Sequence, residues 1–281
     1  MNDSELIFLG TGTSEGIPRV SCLTKSDKMC AVCSDSILPN SPNRRRNTSV
    51  LITKKINSQY INIIIDVGKF FYESAINIFP KNNIKTIDSI LITHTHADAV
   101  GGLDDLRDWT NNLQKEINIY LRQKDFESIS KSHNYLVKRN KLTGGGVAKL
   151  NFSIINKKPF ILHGISFIPL PVMHGKHLEI FGYKFGNISY VSDTSYISKE
   201  TENLIIGSEI LIIDALRPKK THGTHFTLEE AVEFAKKINA KKTFLTNATH
   251  DIDHNRINYQ LKKENIDIKY AYDGQKIKIK F

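Results

Sequence analysis

The segment that most constrains the fold of this chain is 89–102, SILITHTHADAVGG. Residues 90–93 are apolar or β-branched, which is typical of a short buried strand. His94, His96 and Asp98 follow at alternate positions, so three potential metal ligands leave the strand together. Neutral imidazoles bind zinc, manganese or iron, and a carboxylate beside them can hold a second cation or a water. A lone buried histidine is usually a satisfied core group, whereas this spacing favours a metal site.

The motif resembles the HxHxDH signature of the metallo-β-lactamase superfamily, with Ala99 in place of the last histidine. Other stretches resemble the same superfamily: the opening GTGTSEGIP at 10–18, Asp66 after a strand, the histidine of 171–175 and the aspartate of 192–194. The resemblance implies an α/β fold in which two mixed β-sheets flanked by helices form a four-layer αββα sandwich. It also implies a metal-dependent hydrolase.

Length and composition set broad limits. At 281 residues we expect one domain, 1–281, with a cysteine-containing insertion at about 20–47. The net charge of +10 favours anionic partners such as nucleotides or nucleic acid, although solvated lysines give the same value. No apolar run approaches the ~18 residues that cross a bilayer, and no basic segment precedes an apolar one at the start. We therefore expect a cytoplasmic protein without a membrane partner; an organelle and a homodimer stay open.

The resemblance assigns one metal site to three imidazoles. His94 and His96 are joined by His174, which stands at a strand end beside a glycine. Asp193 resembles the carboxylate that bridges two metals in the superfamily, and the alternative is a turn-capping aspartate. Three imidazoles and an open position for water suit a catalytic Zn²⁺ or Mn²⁺.

A second ion would have fewer nitrogen ligands. By resemblance, two of its histidines are replaced here, by Ala99 and Asn247. Asp98 and Asp193 remain, with the carbonyl oxygen of Asn247 or waters completing the set. Because oxygen ligands suit harder cations, we expect weaker, exchangeable occupancy by an ion such as Mn²⁺ or Mg²⁺.

The three cysteines, Cys22, Cys30 and Cys33, all lie in the N-terminal insertion, and an odd count argues against a disulfide framework. The pair Cys30-x-x-Cys33 alone fits a metal site, a redox motif or chance about equally. In the cyclic-phosphodiesterase subgroup of the superfamily, three such cysteines and a histidine hold a structural zinc. The resemblance places that histidine at His250, and the gap from Cys22 to Cys30 is wider than in the subgroup.

Proton transfer to the leaving alkoxide is assigned by the same resemblance. His225 precedes a helix with the capping-box signature of Thr227 and Glu230 and resembles the catalytic histidine of the subgroup. His222 is the alternate proton donor, and Asp98 is also predicted to be catalytic. Further candidates for contact with the metal ligands or substrate, each with a structural alternative such as capping or ion pairing, are Asp66, Arg44, Arg46, Arg107, His177 and His254.

Together the motifs predict a phosphodiesterase that acts on a small nucleotide or cyclic phosphate through a metal-bound hydroxide. A ribonuclease Z-like RNA-processing nuclease is the second hypothesis, although no long arm for tRNA binding is visible. The third is a nucleotide-binding protein with impaired catalysis, suggested by Ala99 and Asn247. Thioesterase and β-lactamase reactions remain open because the same hydroxide attacks acyl carbons.

Overall fold

The computed structural model of the protein describes residues 4–25, 29–56, 59–137, 146–263 and 267–281. The strands in this part of the chain are β1 (Ser4–Gly10), β2 (Ser49–Ile56), β3 (Gln59–Ile65), β4 (Ser89–Leu91), β5 (Ile117–Leu121), β6 (Leu150–Ile154), β7 (Phe160–Leu162), β8 (Ile165–His174), β9 (Leu178–Phe185), β10 (Ile188–Val191), β11 (Ile210–Asp214), β12 (Lys242–Thr246), β13 (Ile268–Tyr270) and β14 (Lys276–Lys278). The helices are α1 (Val20–Thr24), α2 (Ala31–Ser36), α3 (Phe71–Ile78), α4 (Ala97–Val100), α5 (Arg107–Asn112), α6 (Gln123–Ser132), α7 (Asn134–Val137), α8 (Lys199–Ile205), α9 (Leu228–Ile238) and α10 (His254–Lys263).

The strands form two mixed sheets of seven strands each. The first has the order β14-β1-β2-β3-β4-β5-β6, antiparallel from β14 to β3 and parallel from β3 to β6. The second has the order β13-β12-β11-β10-β9-β8-β7, parallel from β13 to β10 and antiparallel from there to β7. Each sheet therefore contains a parallel half whose strands end at one common edge.

Alternating side chains of the central strands enter two different apolar clusters. In β3, Ile63 and Ile65 belong to the cluster between the sheets, whereas Ile64 belongs to the one between the first sheet and its helices. This two-sided burial is typical of strands covered on both faces. Phe8 of the first sheet contacts Phe244 of the second, with ring centroids 5.5 Å apart.

A third apolar cluster packs helices α8, α9 and α10 against the outer face of the second sheet. The layers therefore run helix, sheet, sheet, helix, which confirms the predicted αββα sandwich of two mixed sheets. Among the helices in the described ranges, none is both long and apolar enough to cross a membrane.

Three of the predicted site residues, and Asp214, which was not predicted, lie at the ends of parallel strands. Asp66 comes directly after β3, Asp193 follows β10, Asp214 ends β11 and Asn247 follows β12. The carboxyl ends of parallel strands form a crevice in which ligands bind. Two hydrogen bonds join the sheets here, since Phe181 N–H donates to the Thr93 carbonyl at 3.2 Å and Tyr183 Oη donates to that of Ile92 at 2.8 Å.

Two local features hold the loops at this edge. A Cβ on Gly68 would lie 2.0 Å from the Asp98 carbonyl oxygen, so only glycine lets α4 pack this closely on the loop after β3. At α9, the Thr227 side chain accepts from Glu230 N–H, and the Glu230 side chain accepts from Thr227 N–H. This confirms the predicted capping box and fixes the chain that leads in from His225.

The cysteine-containing segment is ordered around two short helices, α1 and α2. Ile17, Val32 and Cys33 form a small buried cluster beneath it. Isolated bridges join Ile17 to Arg45, and Gly12 to Asn47. A cluster of this size needs a further attachment to hold the segment in place.

Candidate metal centre

Three histidines from the two sheets converge at the shared edge. His94 and His96 follow β4, His174 ends β8, and one ring nitrogen of each lies within 4.8 Å of the others. The ring centroid of His94 is 4.7 Å from that of His96 and 5.5 Å from that of His174. Asp193 Oδ2 lies 3.6 Å from His94 Nε2. The predicted ligands are therefore close enough to share one divalent cation.

His94 Nε2 is a buried nitrogen without a hydrogen-bond partner in the described residues. The other nitrogen, Nδ1, lies 2.8 Å from Thr93 Oγ1, which donates to Asp66 Oδ2 at 2.7 Å. Because the hydroxyl hydrogen is used in that bond, Thr93 accepts from Nδ1–H, and the lone pair of His94 is on Nε2. Burial lowers the pKa of His94 to about 3, so the ring is neutral. An unpartnered lone pair here fits a metal ion.

Asp66 acts on the site through Thr93. Its carboxylate accepts hydrogen bonds from the Thr93 N–H at 2.8 Å and from the Thr93 hydroxyl at 2.7 Å. Asp66 is not the N-cap of α3, because Phe70 occupies the N-cap position of that helix. On the opposite side, His174 Nδ1 donates to the Thr224 carbonyl at 2.8 Å, which leaves its Nε2 lone pair free. Partners of this kind orient metal-binding histidines.

Asn247 does not offer its carbonyl oxygen to the site, which corrects the expectation that this oxygen completes a second ion. The oxygen accepts from Thr48 Oγ1 at 2.5 Å. The amide nitrogen donates to Asp193 Oδ1 at 2.6 Å and to the Ser192 carbonyl at 3.0 Å. The opposite orientation would place oxygen against two acceptors, so the hydrogen-bond network determines which way the amide points.

Asp98 and Ala99 occupy the short helix α4. Asp98 Oδ1 lies 4.0 Å from His94 Nε2, and burial, with the charge of Asp193, raises the pKa of Asp98 to about 6. Ala99 is 2% exposed and belongs to the apolar cluster under the first sheet. The helix thus brings one carboxylate, and no second imidazole, to this side of the site.

His225 lies beside the histidine cluster, with its ring centroid 4.9 Å from that of His174. Its Nδ1 is 2.8 Å from the buried Asp214 Oδ2. Burial alone would lower the pKa of His225, but the Asp214 carboxylate outweighs it and raises the pKa to about 9. His225 is therefore protonated at neutral pH. His222, the predicted alternate, is exposed, with its ring centroid 5.3 Å from that of His225.

The four residues predicted to hold a structural zinc also converge. The sulfurs of Cys22, Cys30 and Cys33 lie 3.2, 3.4 and 3.8 Å from His250 Nδ1. A tetrahedral zinc with ordinary bond lengths separates a sulfur from a nitrogen by about 3.6 Å. The spacing therefore fits zinc, and Cys22, despite its wider gap in sequence, is the sulfur nearest to the histidine. Burial raises the pKa of Cys33 to about 12, so zinc must displace protons.

The far nitrogen of His250 has two charged neighbours. Nε2 lies 2.8 Å from Arg19 Nη1 and 3.9 Å from Asp251 Oδ1. With an ion on Nδ1, the ring proton is on Nε2 and Arg19 cannot donate to it. Arg19 also forms an ion pair with Glu15.

The predicted arginines lie in ion pairs. Arg44 and Arg46 both donate to Glu73 Oε1 at 2.6 Å and line a cavity of about 550 Å³ on the side of α3. Arg107 is exposed, with Nη1 3.7 Å from Asp104 Oδ2.

The two remaining predicted histidines differ in burial. His177 is exposed in the turn between β8 and β9. His254 is buried and its Nδ1 lies 3.0 Å from Nη2 of Arg45. Arg45 is fully buried and also donates to Thr11 Oγ1 and to the Ala271 carbonyl. The placement of His254 beside Arg45 agrees with a structural alternative rather than with contact to the metal ligands.

Sequence reasoning missed three residues that organise the site. They are Thr93, Asp214 and Arg122, which orient His94, His225 and the Thr93 carbonyl respectively. Each had a weak signal, because Thr93 precedes the first histidine, Asp214 ends an apolar run, and Arg122 follows one. Thr93 is adjacent to His94, but the bonds from Thr93 to Asp66, from His225 to Asp214 and from Arg122 to Thr93 join residues 27, 11 and 29 positions apart, which no spacing rule could pair.

An αββα sandwich with imidazoles and carboxylates gathered at the shared edge of its sheets defines a class of metal-binding hydrolases. The chain belongs to the metallo-β-lactamase superfamily, since the family model for the beta-lactamase superfamily domain matches residues 62–247. This superfamily consists largely of metal-dependent hydrolases.

Three known proteins illustrate the similarity. A crystal structure described as a new diphosphatase from the PhnP family is 32% identical, covering 99% of this chain and 98% of its own, with a TM-score of 0.82. Zn²⁺-bound PqqB from Methylobacterium extorquens shares the fold at 14% identity, with a TM-score of 0.73 over 98% of this chain and 100% of its own. An octanoyltransferase of Porphyromonas gingivalis (strain ATCC BAA-308 / W83) is 32% identical over 87% of this chain. The matched region covers only 46% of that protein's length, so this chain spans about half of it.

Proposed function

We propose that the protein is a metal-dependent phosphodiesterase or diphosphatase acting on a small phosphorylated molecule such as a nucleotide or cyclic phosphate. The observation that carries this proposal is the unpartnered, buried Nε2 of His94 among His96, His174 and Asp193. The 32% identity to a diphosphatase of the PhnP family over nearly both full lengths supports the choice of a phosphate substrate.

The ligand set suits Zn²⁺ or Mn²⁺, because three neutral imidazoles and one carboxylate leave room for water. Such an ion would supply positive charge for the phosphate and a water acidified for attack. Thr93 and Thr224 keep the protons of His94 and His174 on the nitrogens facing away from the site. A structural Zn²⁺ in the cysteine cluster is part of the same proposal.

His225 is the proposed proton donor to the leaving group. Its Nδ1 is held by Asp214, so Nε2 is the nitrogen left to act on substrate. Because the carboxylate keeps the ring protonated at neutral pH, His225 can give a proton to a departing alkoxide or phosphate. Asp98, at the other side of the ligands, can accept a hydrogen bond from the attacking water.

The test compares hydrolysis by the protein, purified without chelator, of bis-p-nitrophenyl phosphate, a 2′,3′-cyclic nucleotide, a nucleoside diphosphate and a pre-tRNA. We expect turnover of a small substrate and its loss in His96→Ala, with His177→Ala, an exposed histidine of the neighbouring loop, as the matched control. Preferential cleavage of pre-tRNA would favour the ribonuclease Z-like alternative. Nucleotide binding without turnover under any metal would favour a protein with impaired catalysis.

A second candidate is hydrolysis or transfer of an acyl group, favoured by the octanoyltransferase relative. The same ion and water can attack an acyl carbon, and fold alone does not choose between the reactions. An octanoyl thioester added to the substrate panel tests this candidate. Its cleavage faster than any phosphate ester, lost again in His96→Ala, would replace the phosphate proposal.

A further inference from the structure

The resemblance to two-metal members of the superfamily implies a second ion beside Asp193, and the residues present do not fit one. We infer that the catalytic centre takes a single divalent cation, and that the amide of Asn247 stands where the second ion would need a ligand. The inference rests on the proposed function only in requiring one bound ion. It replaces the expectation of a weak second ion with that of none.

The orientation of the Asn247 amide is the first argument. Its oxygen is directed away from the site toward the Thr48 hydroxyl, and its nitrogen donates to Asp193 Oδ1 at 2.6 Å. An amide N–H is a donor without a lone pair for a cation. Its partial positive charge also opposes a second cation at that oxygen.

The amide cannot turn over to offer its oxygen without loss. Three hydrogen bonds define its orientation, and reversal would set the oxygen of Asn247 against the Asp193 carboxylate and the Ser192 carbonyl. The Thr48 hydroxyl can accept as well as donate, so the cost of reversal lies with the other two groups, which are both acceptors. Both are buried, where an unmet hydrogen bond costs about 1–3 kcal/mol.

The second argument comes from Ala99, which lies in helix α4. Ala99 is 2% exposed within the apolar cluster and carries no donor atom for a metal. Its backbone carbonyl is also used, since it accepts from Val67 N–H at 2.8 Å. Asp98 and Asp193 are then the remaining carboxylates on this side, and one Asp193 oxygen is taken by the amide.

His225 does not supply a separate second site. A second group of potential ligands is found in the described chain, His174, Asp193 and His225, but His174 belongs to the first group and Asp193 Oδ2 is directed at His94. The other oxygen of Asp193, which a second ion would need, is held by the Asn247 amide. Asn247 is therefore a positioning residue, which holds one oxygen of Asp193 and leaves Oδ2 directed at His94.

The experiment counts ions independently of turnover. Wild type and the double variant His94→Ala/His96→Ala are equilibrated by dialysis against Zn²⁺ or Mn²⁺ and analysed for metal per chain. We expect two ions per wild-type chain and one in the double variant, held in the cysteine cluster, whose retention also reports folding. Three ions per wild-type chain overturn the inference, whereas equal counts in the two proteins overturn the proposed function instead.

Variants at Ala99 and Asn247 test whether these two residues exclude a second ion. Asn247→Asp, which keeps the size of the side chain, and Ala99→His/Asn247→His are expected to bind one more ion than wild type. Asn77→Asp and Asn77→His, on the exposed side of α3, are matched controls expected to bind no more. If Asn247→Asp and the double histidine variant both fold, by retention of the cysteine-cluster ion, and neither gains an ion, the role assigned to Asn247 is wrong.

Discussion

Single protons decide what each histidine of the site can do. His94 keeps its proton on Nδ1 because Thr93 has given its own hydrogen to Asp66, so Nε2 is a metal ligand. His225 faces a carboxylate instead of a hydroxyl, and its protonated form is therefore stabilised. The same residue type becomes a ligand or a proton donor according to the acceptor beside its Nδ1.

Replacing His225 by alanine tests its role as a proton donor. We expect kcat to fall about 10²–10⁴-fold with the metal content unchanged, because protonation of the leaving group is lost. The loss should be smaller for a p-nitrophenyl ester, whose leaving group needs little help, than for an alkyl ester. His222→Ala tests the alternate donor: a larger loss in that variant, or equal losses for both substrates in His225→Ala, would contradict the assignment.

At the scale of elements, the site depends on a clamp between the two sheets. Arg122, between β5 and α6, donates to the Thr93 carbonyl at 3.3 Å and to the Glu179 carbonyl of β9 at 2.5 Å. The Asp125 carboxylate accepts two hydrogen bonds from another edge of the guanidinium, from Nε at 2.5 Å and from Nη2 at 2.9 Å. The loop carrying His94 is thereby tied to the strand that follows the His174 turn.

Arg122→Met should separate these elements. We expect a loss of about 3 kcal/mol in the free energy of unfolding, since the buried Asp125 is left unpaired. Metal affinity should fall about 10-fold or more, as for other partners of metal ligands. Urea unfolding and metal titration measure the two effects. Arg107→Met, at an exposed arginine, is the control, and unchanged metal affinity in Arg122→Met would refute the clamp.

At the scale of the whole molecule, the cysteine cluster joins distant parts of the chain. Its cysteines lie in the segment around α1 and α2, and His250 follows β12, three residues after Asn247. An ion there would attach the N-terminal segment to the strand end that supports Asp193. The small apolar cluster around Cys33 gives this segment little stability of its own.

Cys33→Ser tests this attachment. Because the free energy of binding a structural zinc is also free energy of folding, we expect the loss of one zinc per chain and a lower melting temperature. The catalytic ion should remain, as should turnover at low temperature. Elemental analysis and thermal unfolding measure both, with the neighbouring Ser34→Ala as control. Loss of both ions together would show that the two sites do not form independently.

Much of this arrangement could be predicted from the chain alone. The alternation of His94, His96 and Asp98 after an apolar run, together with the resemblance of the later motifs, led to the αββα sandwich that the structure confirms. The capping box of α9 was equally local. The alternation and the capping box are readable because they depend on neighbours two or three residues apart.

What the sequence by itself determined was therefore the inventory of ligands and the strand ends that carry them. Only the tertiary structure decided the direction of the Asn247 amide, the nearness of Cys22 to His250 and the clamp formed by Arg122. The physical reason is that a hydrogen bond or metal contact depends on distances of tenths of an ångström between groups up to about 230 residues apart. Residue spacing along the chain carries no information at that precision.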